Sequence, residues 1–120
     1  MDKLYISGDL VYIHGSLRII SNCDGYYATY YDENESLQEV NVNVIEGIPI
    51  TPEILEKNGW KKPDDFDSYW LNKIGLLQEG DTWHSALGST KIAITLGNIL
   101  YVHQLQHLLF GLGLNSEMEV

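Results

Sequence analysis

His103 and His107 stand one helical turn apart near the end of the chain, and their spacing is the first that could do chemistry. An H-x-x-x-H pair on a helix puts two imidazoles on one face, as zinc sites require. No glutamate follows His103, and no third ligand lies close in sequence. His14 and His84 have no fixed place relative to the pair. The reading preferred is therefore structural: no metal and no cofactor are expected, and His103 should hydrogen-bond a strand backbone group while Gln104 and Gln106 lie on other faces. Cys23 is the one thiol. A catalytic thiol needs a nearby base or a helix N-terminus to lower its pKa, and its neighbour Asp24 works against that. There is no Gly-x-Ser-x-Gly elbow, phosphate loop or dinucleotide fingerprint.

Aromatic residues are plentiful: eight Tyr, three Trp and two Phe. Tyr26, Tyr27, Tyr30 and Tyr31 fall in one β-prone run, so large rings must point from both of its faces. One face can be core. The other should expose tyrosines, which give rigid contact area with a polar tip. Trp60, Trp70 and Trp83 read as core or pocket walls. The candidate ligand-binding set is thus Tyr26, Tyr27, Tyr30, Tyr31, Trp60, Trp70, Trp83, His103 and Arg18, with Arg18, Lys61 and Lys62 as the cations that could meet a phosphate.

The elements that must position these residues follow from pattern. A chain of 120 residues is expected to be one domain. Leu10–Ile13 and Leu17–Ile20 flank His14-Gly15 as a hairpin. Tyr26–Tyr31 is a strand. From Glu39 to Ile45, Val40, Val42 and Val44 alternate with asparagines, the pattern of a half-buried strand. Thr51 suits a helix N-cap, Pro52 the first helical position, and Asn58-Gly59 a stop. Short strands are expected at Tyr69–Leu71 and Ile74–Gln78. A second hairpin is expected from Thr82–Leu87 and Lys91–Leu96, broken by Gly97-Asn98. A C-terminal helix is expected from Ile99 to Phe110, with Val102, Leu105, Leu108, Leu109 and Leu112 on its apolar face. Glu117–Val120 reads as a tail or an edge strand. The fold class expected is α+β: a bent antiparallel sheet packed on the C-terminal helix, with the two-turn helix as a plug. An SH3-like barrel in the first half is one form that sheet could take.

Composition excludes some functions. The formal net charge is −10, so binding of DNA or RNA through phosphates is disfavoured. No apolar run reaches the length of a membrane span. One cysteine and no leader-like start fit a cytoplasmic protein.

Two segments resemble a family. Ile48, Pro49, Ile50, Thr51, Pro52, Glu53, Leu55, Gly59 and Trp60 are similar to a motif of the form Ile-Pro-Leu-Thr-Glu-Glu-x-Leu-x-x-x-Gly-Phe. Tyr101, Val102, His103, Gln104, Leu105, Gln106, Leu108 and Phe110 are similar to Tyr-Val-His-Gln-Leu-Gln-Asn-Leu-Tyr-Phe. Both motifs occur in a functionally uncharacterised family of small proteins encoded by phages and prophages of Bacteroides-type bacteria, and Gly8–Tyr12 resembles that family's first strand. Pro52, His107 and Leu109 depart from the pattern. The resemblance brings no catalytic residue. It implies a setting, a phage protein acting in a bacterial host. The function expected is non-catalytic binding: sequestering a nucleotide-type signal, or blocking a host defence protein, by a homo-oligomer. The alternatives are a virion or assembly accessory protein and, third, a small enzyme centred on His103 and His107.

Overall fold

The computed structural model of the protein describes residues 5–88 and 93–120. Among these residues the chain is α+β, with ten strands in three antiparallel sheets and two α-helices. The first half runs β1 (Leu10–Ile13), β2 (Ser16–Ile19), β3 (Asn22–Cys23), β4 (Tyr27–Tyr31), β5 (Leu37–Asn41), a 3-10 turn at Val42–Val44, and β6 (Ile45–Glu46). β1 lies between β2 and β6, and β4 lies between β3 and β5. Ser21 N–H donates to Thr29 C=O at 2.7 Å, which joins the two sheets where β2 runs on into β3. These two three-stranded sheets wrap one shared set of buried side chains as an open barrel, with the 3-10 turn leading into its last strand. The β1–β2 turn is tight because His14 and Gly15 both take positive φ, 52° and 79°, as a mirror-image type I turn requires.

The second half carries α1 (Pro52–Lys57), then the meander β7 (Ser68–Leu71), β8 (Ile74–Glu79), β9 (Thr82–Gly88) and β10 (Ala93–Ile99), then α2 (Val102–Gly111). Thr51 caps α1 as expected, its hydroxyl accepting from Ile54 N–H at 3.2 Å. Gly59 follows in the left-handed region at φ 89°.

Three expectations need correction. The run from Glu39 to Ile45 is not one strand. Asn41 caps the 3-10 turn by accepting from Asn43 N–H, so Val42 turns inward while Val44 is exposed. Gly97-Asn98 does not break the second hairpin. A bulge between Thr95 and Gly97 absorbs the irregularity, Ser85 donates to the Gly97 carbonyl at 2.7 Å, and β10 continues to Ile99. The helix therefore starts at Val102, not Ile99, with the Gln104 side chain accepting from Leu100 and Tyr101 N–H at its entrance. Ser89 to Ile92, part of the expected hairpin, lie outside the described residues. Glu117–Val120 forms no strand. It is held by Asn58, which donates to Glu119 C=O at 2.7 Å and accepts from Glu119 N–H at 2.8 Å.

The body measures 47 × 27 × 27 Å, and two hydrophobic clusters divide it. One fills the barrel: Tyr5, Val11, Ile13, Ile20, Ala28, Tyr30, Val42 and Ile45. The other lies between α2 and the meander and includes Trp60, Leu76, Trp83 and Leu105. β1 serves both, because alternate residues of a strand point to opposite faces. Val11 and Ile13 enter the barrel, while Leu10 enters the helix-side cluster.

Candidate functional site

The two histidines lie at the junction of the halves. His103 is 7% exposed and stands in a stack of rings. Tyr5 is 5.0 Å away between centroids, Tyr101 lies parallel at 5.7 Å, and His107 is edge-on at 5.7 Å. Tyr101 itself rests on Gly47, where an added Cβ would meet the ring at 2.5 Å. The Nδ1 of His103 is buried without a hydrogen-bond partner, so it does not make the expected strand contact. Burial, with some help from His107, pushes its pKa down to about 4, and the ring is neutral at physiological pH. Burial likewise raises the Tyr5 hydroxyl, with Asp9 adding to the effect.

His107 pairs with a residue that pattern reading passed over. Asp9 is 1% exposed, and its two carboxylate oxygens lie 3.0 and 2.9 Å from His107 Nε2. A bulge puts it there. Gly8 N–H donates to Ile20 C=O at 2.8 Å, and Ile20 N–H donates to Asp9 C=O at 2.9 Å, so two residues of one strand oppose one of the other. Gly8 holds φ 95°, the left-handed backbone this bulge needs. Asp9 also accepts from Ile6 N–H at 2.9 Å. Its carboxyl is raised above the ordinary value because burial outweighs the Ile6 and His107 bonds.

Gln106, not His103, makes the backbone contact. Its side chain accepts from Leu10 N–H at 2.8 Å and donates to Gly8 C=O and Ser116 C=O. A Gly-Asp pair before an apolar run, and a Gln on the core side of a helix, were the available signals for this junction.

A carboxylate orienting an imidazole is half of a nucleophile-activating set. The other half is missing: among the described residues, Asp9 is the hydrogen-bond partner of His107, and no hydroxyl or thiol reaches it. Cys23 packs half-buried against the barrel core. No group of three or more His, Cys, Asp or Glu among the described residues is placed to hold a metal ion. The cluster is built to join, with β1, the bulge and α2 tied through one buried polar knot.

The tyrosines behave differently. On β4, Ala28 and Tyr30 point into the barrel and Tyr27 and Tyr31 point out. Tyr30 is 8% exposed and lies under the Arg18 guanidinium, 5.3 Å from ring centroid to Cζ. Tyr31 is 59% exposed, and Tyr26, just before the strand, is more open still. Leu37 stands opposite Tyr31, and Leu17 stands opposite Tyr12. Leu17, Ile19 and Tyr31 line a groove of about 520 Å³. Tyr12, Leu17, Ile19, Tyr31 and Leu37 thus form an exposed apolar face on the barrel. Arg18 points the other way and ion-pairs with Glu33.

The candidate binding residues do not converge. Trp60 and Trp83 belong to the helix-side core, and Trp83 donates to Ile50 C=O at 3.1 Å. Trp70 is half-buried against Gly75. Tyr27 and Tyr31 share the outer barrel face, Tyr30 and Arg18 lie beneath it, and His103 is in the junction. Leu17, Ile19 and Leu37 were missed. Their alternation was visible, but with Arg18 facing inward the sequence pattern alone does not show which side of β2 is core. No helix among the described residues is long and apolar enough to cross a membrane. No protein-family model, no curated protein and no solved structure matches the chain.

Proposed function

We propose that the protein acts by non-catalytic binding, docking a host protein on the outer face of its barrel, and that the setting is a phage protein at work in a bacterial cell. The observation that carries this reading is the exposed apolar face of Tyr12, Leu17, Ile19, Tyr31 and Leu37. Faces of this kind on soluble domains usually serve contact, and tyrosine suits contact because it buries area with few rotors to freeze. A protein partner fits better than a nucleotide. Arg18, the cation nearest the groove, is already held by Glu33, and the groove is lined mainly by aliphatic side chains. Sequestering a nucleotide signal would leave its phosphates facing a surface of net charge −10.

A photo-crosslinking amino acid tests the reading in bacterial cells. Placed at Tyr31, it should give one discrete adduct. Placed at Phe110, which is more exposed still but on α2, it should give none. No adduct from Tyr31, or the same adduct from both positions, would sink the reading.

A further inference from the structure

The mode of docking can be read from the edge of β2. This strand is the outer member of its sheet, paired to β1 alone within it. Ile20 N–H donates toward β1, to Asp9 C=O. Backbone direction alternates along a strand, so the groups of Arg18 also face β1, and those of Leu17 and Ile19 face away. Ser21 confirms the alternation, since its N–H points outward and finds Thr29 on β4 at 2.7 Å. No other backbone hydrogen bond among the described residues joins β2 to β4. Among the described residues no hydrogen bond meets the outward N–H and C=O groups of Leu17 and Ile19. The groove lined by Leu17 and Ile19 runs along β2, from Leu10 on β1 to Tyr31 at the end of β4. A row of unpaired backbone groups beside an apolar groove is the requirement for adding a strand.

We propose that β2 is a docking edge that takes a short extended segment of another protein as an added strand, a segment with apolar residues at alternate positions and basic residues between them. The proposal rests on the protein-docking reading above and adds to it how the partner is held. Backbone pairing with Leu17 and Ile19 supplies the register. Apolar side chains of the segment fall on the face of Leu17, Ile19 and Tyr31. The basic requirement comes from charge. Glu33, Glu35, Glu39 and Glu46 are exposed on the same strands or their loops, Glu46 directly opposite Tyr12 and Glu39 opposite Thr29 on β4. A second copy of this chain would bring the same acids and another net charge of −10 to the edge, so a foreign basic segment is the better occupant.

The test uses the full chain, isotope-labelled, and a seven-residue capped peptide of alternating lysine and valine. A second peptide has the same sequence with every internal amide N-methylated, and a third replaces lysine by glutamate. Chemical-shift changes should concentrate at residues 17–21 and 31–33. The methylated peptide should bind about tenfold more weakly or worse, as loss of two or more hydrogen bonds implies, and the glutamate peptide should not bind. Ile19→Lys, at an exposed position that leaves the β1 pairing intact, should also abolish binding. Equal affinity for the methylated peptide would mean charge attraction without strand addition. Shifts centred elsewhere, no binding at about 1 mM, or a dimer that Ile19→Lys dissolves would each overturn the proposal. If the Tyr31 crosslink persists while methylation has no effect, the edge mode alone fails. If the crosslink is absent, the docking reading itself fails.

Discussion

The run Tyr26–Tyr31 and the run His103–His107 are the two places where this chain concentrates rings, and it uses them in opposite ways. The histidines, the residue type that most readily moves protons and binds metals, are turned inward and tied down. His107 is locked to Asp9, and His103 is kept neutral between Tyr5 and Tyr101. The tyrosines, which are chemically quiet, are divided. Tyr30 fills the barrel while Tyr27 and Tyr31 face solvent beside bare aliphatics. The difference teaches that reactive residue types need not be the accessible ones: here they are packed, and the quiet ones are exposed. A buried polar knot ties the two halves together, and the exposed rings, which have no such structural task, are the ones on which the docking proposal rests.

That contrast is sharpest if the knot is broken. His107→Ala leaves the Asp9 carboxylate inside the protein with only Ile6 N–H for company. Leaving a buried carboxylate without its main hydrogen-bond partner costs about 3 kcal/mol or more. Chemical denaturation should show a loss of that order. Asp9→Asn combined with His107→Ala should recover part of it, because the stranded charge is gone. Equal losses in the single and double variants would mean that the pair is ornamental and that other contacts join the halves.

Leu105 probes the same junction through packing alone. It is fully buried at the centre of the helix-side cluster, as its position on the apolar stripe of α2 led one to expect. Leu105→Ala should cost about 2–5 kcal/mol in a denaturant melt. A loss below about 0.5 kcal/mol, the size typical of surface positions, would place this face of α2 against solvent and overturn the two-cluster division.

Much of this half was legible from pattern, because caps and stripes are local signals. Thr51, Pro52 and Gly59 mark α1 whatever surrounds them. The start of α2 was misread by three residues because a bulge let β10 pass through Gly97, and a bulge depends on the partner strand. Asp9 and Gln106 were missed for a similar reason. Each makes sense only opposite the other element, 96 to 98 residues away in the chain. In the barrel the tyrosine run was right in having two faces. Which side of β2 was core was not legible, since an inward arginine needs Tyr30 and Glu33 to be seen in place.

The titration of His103 tests whether the knot is structural. Its folded pKa of about 4 lies below the ordinary 6.5, so between those values the unfolded chain binds more protons. Its contribution to stability is full above pH 6.5 and drains away as pH falls to about 4, a change of about 2–4 kcal/mol. Asp9 works in the opposite sense, because its raised pKa lets the folded state hold a proton above pH 3.8. His103→Phe keeps the ring between Tyr5 and Tyr101, removes the titration and deletes an unpaired buried nitrogen. Its stability at pH 7 should be unchanged or higher, and the decline between pH 6.5 and 4 should flatten. A variant that keeps the wild-type decline would show that other groups drive acid unfolding.

The smallest expected effect carries the other side of the comparison. Tyr27 and Tyr31 lie on the outer face of β4, where neither is counted in a core cluster. Exposed substitutions away from caps, cores and strained backbone usually change stability by no more than about 0.5 kcal/mol. Tyr27→Ser combined with Tyr31→Ser should therefore leave the denaturation midpoint nearly in place while removing the crosslinked adduct or the peptide shifts at the β2 edge. Tyr30→Ser is the matched control. It removes a ring buried under Arg18, so it should lower stability well before it affects any contact at the surface. If the outer pair proves as costly as Tyr30, those rings are holding the barrel together, the two regions do the same job, and the docking face must be sought elsewhere. If the outer pair is cheap and binding survives, the tyrosines are bystanders and Leu17 and Ile19 alone mark the edge.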